Sequence, residues 1–438
     1  MRKLLTLLFV LAFLNCVASA QVYEATYLRS GSGRITGASG INDSGMIVGW
    51  CYLDFTTYHA CYWTSSGVAT DLGTLGGKLS GATAVNSLGQ IAGDSDASDG
   101  GRAFIWTKAG GMQALPSLGS NPADFASAIN DSGAVVGTSR LTPSGPYHAF
   151  LWTSSGGIQD LGTLPGEADS SIAWGINSAG HVVGNSENFS DGSRKAFMWT
   201  STTGMQELSP ASGLQYYAAS AINDSDEVVG SFTNPADNKE HGFLWTKATG
   251  IKDLGVLPNG SSAATAIDKA GTSIVGRGRG SSPSSRYGLI WRSGTILKLD
   301  TSAGIHLGFG ATGINSSGQI IANQSGNGVL LNPSWVKLST RSFNFNSVTV
   351  GQTSPAKNLT ITNIGSTTLT MKSISITGTN PGDFAQTNNC PATLAPAAHC
   401  VVHVTFTPTA IGYRHAAISL SDSDPTSPQQ IALAGGGM

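Results

Sequence analysis

The sequence predicts an all-β protein: a seven-bladed β-propeller with four-stranded blades, followed by an immunoglobulin-like β-sandwich. Three observations carry that reading. A unit of 44–47 residues recurs seven times within residues 27–338, a period that suits propeller blades. Each unit breaks into four short apolar segments separated by turn residues. Beyond residue 338 the period stops, and six or seven alternating runs fill about a hundred residues, the pattern of a sandwich.

The unit is fixed by an Ile/Val-Asn-x-x-Gly step, whose Asn or Asp falls at Asn42, Asn86, Asn130, Asn177, Asn223, Asp268 and Asn315. Unit five departs from it, with Asp226 in the glycine position. A tryptophan follows in six units, at Trp63, Trp106, Trp152, Trp199, Trp245 and Trp291, while the seventh copy, GVLLNPSW, is degraded. Unit two shows the four segments as SGATAV, QIAGDS, RAFIW and GMQALP. One such sheet cannot bury both faces, whereas seven packed radially can. VYEATYL, residues 22–28, is placed to pair with the last blade and close the ring. A six-bladed ring and a β-solenoid stay open as alternatives.

Composition narrows the function classes. The 438-residue chain has 11% charged residues, 57 glycines and a formal charge of -2, which excludes a phosphate-tracking nucleic-acid binder. Arg2 and Lys3, the apolar run Leu4–Leu14 and Ala18-Ser19-Ala20 form a secretion signal over residues 1–20. No later run is long enough to span a bilayer. Cleavage would remove Cys16 and leave Cys51, Cys61, Cys390 and Cys400, expected as two disulfides: Cys51 with Cys61 across one hairpin, and Cys390 with Cys400 around PATLAPAAH. The domains expected are a signal peptide at 1–20, a repeat propeller at 21–338 and a sandwich at 339–438. In the last, KNLTITN puts Leu359 and Ile361 on one face and Thr360 and Thr362 on the other.

The repeat resembles the bacterial extracellular HAF-repeat family, on His148-Ala149-Phe150 and its altered copies at His59, Arg102, Lys195 and His241. The Trp, Asp-Leu-Gly and Ile-Asn-x-x-Gly elements support the same resemblance. The last domain resembles the immunoglobulin-like domains of the ASPM/Hydin type, on Phe345, Leu359–Gly365, Gly382-Asp383-Phe384, Cys390, Cys400 and Val404–Pro408. The first resemblance implies an exported repeat protein and carries no enzymatic activity. The chain stops soon after the last expected strand, at Gly435-Gly436-Gly437-Met438, so a longer gene product is also open.

These features lead to the expectation of a non-catalytic secreted or cell-surface protein. Its propeller would bind envelope glycan, matrix or another secreted protein, and its sandwich would serve as spacer or docking module. The alternative is an extracellular propeller glycan hydrolase or lyase with its site at the central channel. No catalytic, cofactor-binding or metal-ligating residue is assigned. Asp71, Asp160 and Asp253 of the Asp-Leu-Gly steps read as turn residues, and the tryptophans as wedges between blades. Glu167, Glu187, Glu207, Glu227 and Glu240 are scattered, and a glycosidase needs two carboxylates within roughly 5–10 Å. Asp43, Asp131 and Asp224, in equivalent turns, are the first carboxylates to inspect. The run Asp94-Ser95-Asp96-Ala97-Ser98-Asp99 is the one oxygen-rich segment suited to calcium. His59, His399 and His403 lack the companions a metal site needs.

Overall fold

The computed structural model describes residues 22–438 apart from 34, 65–66, 121–122, 166–168, 209–213, 215, 281–285, 300–309, 325, 366 and 425. The expected signal segment and Glu167 lie outside the described residues. Two compact units divide between Pro333 and Ser334.

The first unit is a ring of seven four-stranded antiparallel sheets. Blade 1 runs Thr36–Ile41, Ile47–Tyr52, Tyr58–Trp63 and Ala69–Asp71 from the innermost strand outward, and blades 2 to 6 repeat that order. Blade 7 takes its three inner strands from Ala311–Ile314, Ile320–Gln324 and Asn327–Ser334, and its outer strand from Val22–Tyr27. The first strand of the chain thus closes the ring.

The recurring Asn builds the turn between the two inner strands. Asn42 Oδ1 accepts from the backbone N–H of Ser44 at 3.1 Å and of Met46 at 2.9 Å, and Gly45 turns the chain with φ +79°, a conformation glycine adopts without steric cost. In unit five Asp226 takes the same left-handed position with φ 60°. Its carboxylate accepts from Asn177 Nδ2 at 2.7 Å and bonds His181 Nδ1 at 2.8 Å, so contacts with blade 4 support a conformation a non-glycine residue rarely takes.

Alternate residues of the two middle strands bury their side chains between blades. Trp199 of blade 4 packs with Phe197 and Met205 against Val136, Leu161 and Leu164 of blade 3. Trp291 of blade 6 packs in the same way, and its indole N–H donates to Leu254 O of blade 5 at 3.0 Å. The tryptophans are inter-blade wedges. Cys51 and Cys61 form a disulfide between neighbouring strands, with Cα atoms 6.0 Å apart.

Every innermost strand carries a register shift at the same place, for example between Ala38 and Gly40 and between Ala173 and Gly175. The shift skips Ser39, Thr83, Ser127, Trp174, Ser220, Thr265 and Thr312 in the seven blades. Bulges of this kind re-aim a side chain. Trp174 is 45% exposed in the innermost strand, held by a 2.7 Å bond from its N–H to Asn185 Oδ1.

The second unit is a sandwich. One sheet holds Val336–Leu338, Lys357–Asn363, His399–Phe406 and Phe384–Asn388; the other holds Ser342–Val348, Gln429–Gly437, Gly412–Asp422, Leu369–Thr377 and Thr393–Leu394. Leu359 and Ile361 are buried between them, as their alternation requires. Phe345, Phe384 and Phe406 stack at its centre, with ring centroids 4.8–5.9 Å apart. Asp383 is buried beside Arg414, whose guanidinium donates to it and, with Thr409, holds its carboxyl below the usual carboxylate range. Cys390 and Cys400 form the second disulfide. No helix among the described residues is long and apolar enough to cross a membrane.

Candidate active site

The ring has two faces, and the sequence-predicted residues divide between them. On the face of the Asn turns, Asn42 Nδ2 donates to Asn86 O at 2.9 Å, Asn86 to Asn130 O, Asn130 to Asn177 O and Asn177 to Asn223 O, while Asn315 donates to Asn42 O. Blades 1 to 4 are each tied to the next by the turn residue, and blade 7 to blade 1, whereas Asn223 of blade 5 donates to Glu227 of its own turn. Asp268 has no side-chain N–H, so blade 6 cannot continue the series.

Asp43, Asp131 and Asp224 sit one residue later and line the mouth of the channel, a recess of about 260 Å³. They are not brought together as a catalytic pair. Each accepts a backbone N–H from the preceding blade: Asp43 from Ser316, Asp131 from Ser87 and Asp224 from Ser178. Asp224 also meets Lys269 Nζ at 3.4 Å. Burial works against its charge, but the Ser178 bonds and Lys269 leave its carboxyl below the ordinary range. These aspartates brace the ring.

The Asp-Leu-Gly carboxylates are turn residues with a second task. Asp71, Asp160 and Asp253 bond the ring Nδ1 of His59, His148 and His241 at 2.8–2.9 Å, and each accepts from the glycine two residues on. The three units with histidine are the three with this aspartate. In blade 4 the pair becomes Lys195 with Glu207 at 3.9 Å. The clamp joins the third and outer strands of one blade.

Sequence reasoning missed the opposite face. Between blades 1 and 2, a recess of about 320 Å³ is lined by Ser39, Trp50, Tyr52, Tyr58, Thr83 and Asp94, with Gly81 and Ala82. Trp50, Tyr52 and Tyr58 form an edge-to-face cluster with centroids 5.6–6.0 Å apart. Gly37 permits it: a Cβ there would lie 2.3 Å from the Trp50 indole. Asp94 enters from blade 2. Burial, and then the charge of Asp96, push its carboxyl up from 3.8 to about 6. Burial, and then the charges of Asp94 and Asp96, raise the Tyr58 phenol.

Asp94 and Asp96 belong to the strand Ile91–Ala97, where Ser95 between them is buried on the other side. The oxygen-rich run is therefore mostly strand, and Asp99 at its end pairs with Arg102. No group of three or more His, Cys, Asp or Glu among the described residues is placed to hold a metal ion. His403 bonds Asn358 Oδ1 at 2.7 Å across two strands of the sandwich.

The glutamates are less scattered in space than in sequence. Glu187 and Glu240 line one recess of about 550 Å³ between blades 4 and 5, with Phe189, Arg194 and Tyr216. Glu187 pairs with Arg194 at 2.7 Å; Glu240 accepts from Ser231 Oγ at 3.0 Å and Arg277 at 3.3 Å. Glu207 bonds the Tyr217 hydroxyl, and Glu227 accepts from Asn223 at 2.7 Å. One signal pointed to this face. The residue after the glycine of the second strand reads Trp50, Asp94, Thr138, Asn185, Ser231 and Arg277 in blades 1 to 6, and Asn323 follows Ala322 in blade 7, so the units differ in chemistry at this position.

Residues 334–438 match the family described as Cep192 domain 4. That family corrects the HAF-repeat assignment, because the match lies in the C-terminal domain and is to a different family. No curated protein matches the chain. Among solved structures, an ASH/PapD-like domain of human CEP192 is 18% identical, covering 24% of this chain and 85% of its own, with a TM-score of 0.19. A streptogramin B lyase is 16% identical over 71% of this chain and 98% of its own, with a TM-score of 0.48. The virginiamycin B lyase from Staphylococcus aureus is 15% identical over 70% and 98%, with a TM-score of 0.45. The expectation of a non-catalytic scaffold is corrected here: the solved structures similar to this chain include enzymes.

Proposed function

We propose that the ring is a glycan-cleaving enzyme, a hydrolase before a lyase, whose site lies between blades 1 and 2 on the face opposite the Asn turns. The observation that carries this is Asp94, a half-buried carboxyl at the foot of three clustered aromatic rings. Aromatic faces stack on the apolar faces of sugars while their polar edges bond hydroxyls. A carboxyl that titrates near 6 is protonated often enough at neutral pH to donate to a leaving glycosidic oxygen.

Asp96 supplies the second carboxylate. Asp96 follows two residues along the same strand, on the side of the strand that carries Asp94, and a pair of carboxylates is what glycosidic cleavage requires. In this reading Asp94 protonates the departing oxygen, Asp96 takes a proton from the attacking water, and Trp50, Tyr52 and Tyr58 hold the sugar. The two disulfides support an oxidising compartment outside the cytosol.

The test is release of reducing ends from a panel of neutral and acidic polysaccharides by the oxidised chain. Asp94→Asn is expected to reduce the rate by about 10²–10⁴-fold, the usual contribution of a general acid. Trp50→Ala is expected to raise KM more than it lowers kcat. Full activity in Asp94→Asn would overturn the assignment.

A further inference from the structure

The same face carries a second feature that the cleavage site does not use. Although only 24 of the 438 residues are Lys or Arg, Arg277, Arg279 and Arg286 of blade 6 line one recess together with Tyr287 and Glu240. Arg277 and Arg279 lie two apart on one strand, and Arg279 stands directly opposite Arg286 in register. Glu240 of blade 5 reaches Arg277 at 3.3 Å. No carboxylate among the described residues lies within ion-pair reach of Arg279. Lys298 sits over the Tyr287 ring at 3.9 Å and adds another cation to the same blade.

Glu240 is also a wall of the larger recess between blades 4 and 5. That recess presents Phe189 and Tyr216, 65% and 48% exposed. An aromatic stretch therefore adjoins an arginine-rich one on the face that holds Asp94. Guanidinium forks match carboxylate and sulfate oxygens in pairs, and aromatic faces suit the sugars between them.

We propose that the arginines of blade 6 bind the anionic groups of an acidic polysaccharide, which makes the substrate class a uronate-containing or sulfated glycan. The inference rests on the glycan-cleavage reading for its biological sense, but its binding step is measured apart from cleavage. The probes are a hexameric oligogalacturonate, its neutral methyl ester, and a sulfated glucan oligosaccharide without uronate, titrated calorimetrically against the full chain at several salt concentrations.

Arg279→Gln, at an exposed position, is expected to weaken the acidic probe about tenfold, to flatten its salt dependence and to leave the methyl ester unchanged. Loss with oligogalacturonate alone identifies carboxylate as the anion, and loss with the sulfated glucan alone identifies sulfate; either supports the proposal. Equal affinity for oligogalacturonate and its ester, with the sulfated glucan insensitive to Arg279→Gln, overturns it while leaving the Asp94 reading intact. Arginine-dependent binding with no cleavage by the wild type sinks the cleavage reading and keeps this one. Absence of binding to either anionic probe overturns this inference whatever Asp94 does.

Discussion

Asp94→Asn is predicted to make the ring more stable at pH 8 and no more stable at pH 4. Burial and the neighbouring Asp96 raise the folded-state carboxyl from 3.8 to about 6. Between those values the folded chain holds a proton that the unfolded chain has released, so stability falls as pH rises from about 4 to about 6, and the deficit is complete above that. At about 1.36 kcal/mol per pH unit, roughly two units amount to about 3 kcal/mol. Asparagine has the same shape and no charge, so it removes the deficit. The assay is urea denaturation of both proteins at pH 8 and pH 4, followed by tryptophan fluorescence. Eight of the nine tryptophans lie in the ring and only Trp335 in the sandwich, so the signal isolates the ring's transition. Titration of the carboxylates other than Asp96, which interacts with Asp94, cancels in the comparison. A difference between the two proteins that does not change with pH would refute the reasoning, as would a loss of stability at pH 8.

Three further perturbations follow from the same structure. Asn130→Ala removes the 3.0 Å bonds to Asn177 O and from Ala134 N–H, both at buried positions, and is expected to cost about 2–5 kcal/mol in the same denaturation assay. Asp268→Asn restores a donor where the series of Asn links is interrupted and is expected to add about 0.5–1 kcal/mol, read as a higher urea midpoint with unchanged slope. Gly37→Ala places a methyl group 2.3 Å from the Trp50 indole, so the ring must move. Oligosaccharide affinity, measured by quenching of tryptophan emission, is expected to drop about tenfold at a stability cost of about 1–3 kcal/mol.

The repeat made the ring legible because the same physics acts seven times. Asn42 and its equivalents each build a turn and most reach the next blade, so the requirement recurs at every copy. The closing strand was legible too, since Val22–Tyr27 alternates like a strand and the seventh copy has none of its own outside position. The active-site candidate lies where the copies disagree. Tyr58 and Asp94 are 36 positions apart in two different units, and nothing local to either signals that blade packing brings them together. Asp94 instead drew notice as part of an oxygen-rich run, because sequence spacing does not reveal that Ser95 turns to the opposite side of a strand. The bulge that exposes Trp174 was equally hidden, since the bulged column varies between Ser, Thr and Trp. Similarly, the pairing of His59, His148 and His241 with the Asp-Leu-Gly carboxylates emerges only from strand register.

Strand donation in blade 7 has a consequence for synthesis. Val22–Tyr27 is translated about 300 residues before Asn327–Ser334, the strand it pairs with. At about 5–20 residues per second, the first strand waits on the order of 15–60 s for its partner. Blades 1 to 6 can form in the order they are made, but the circle stays open through that interval, with unpaired backbone at both lips. Such edges readily pair with another chain. The ring is thus a washer cut until its last turn of synthesis, and a partner that held the early strand apart would decide whether it locks onto itself or onto its neighbour.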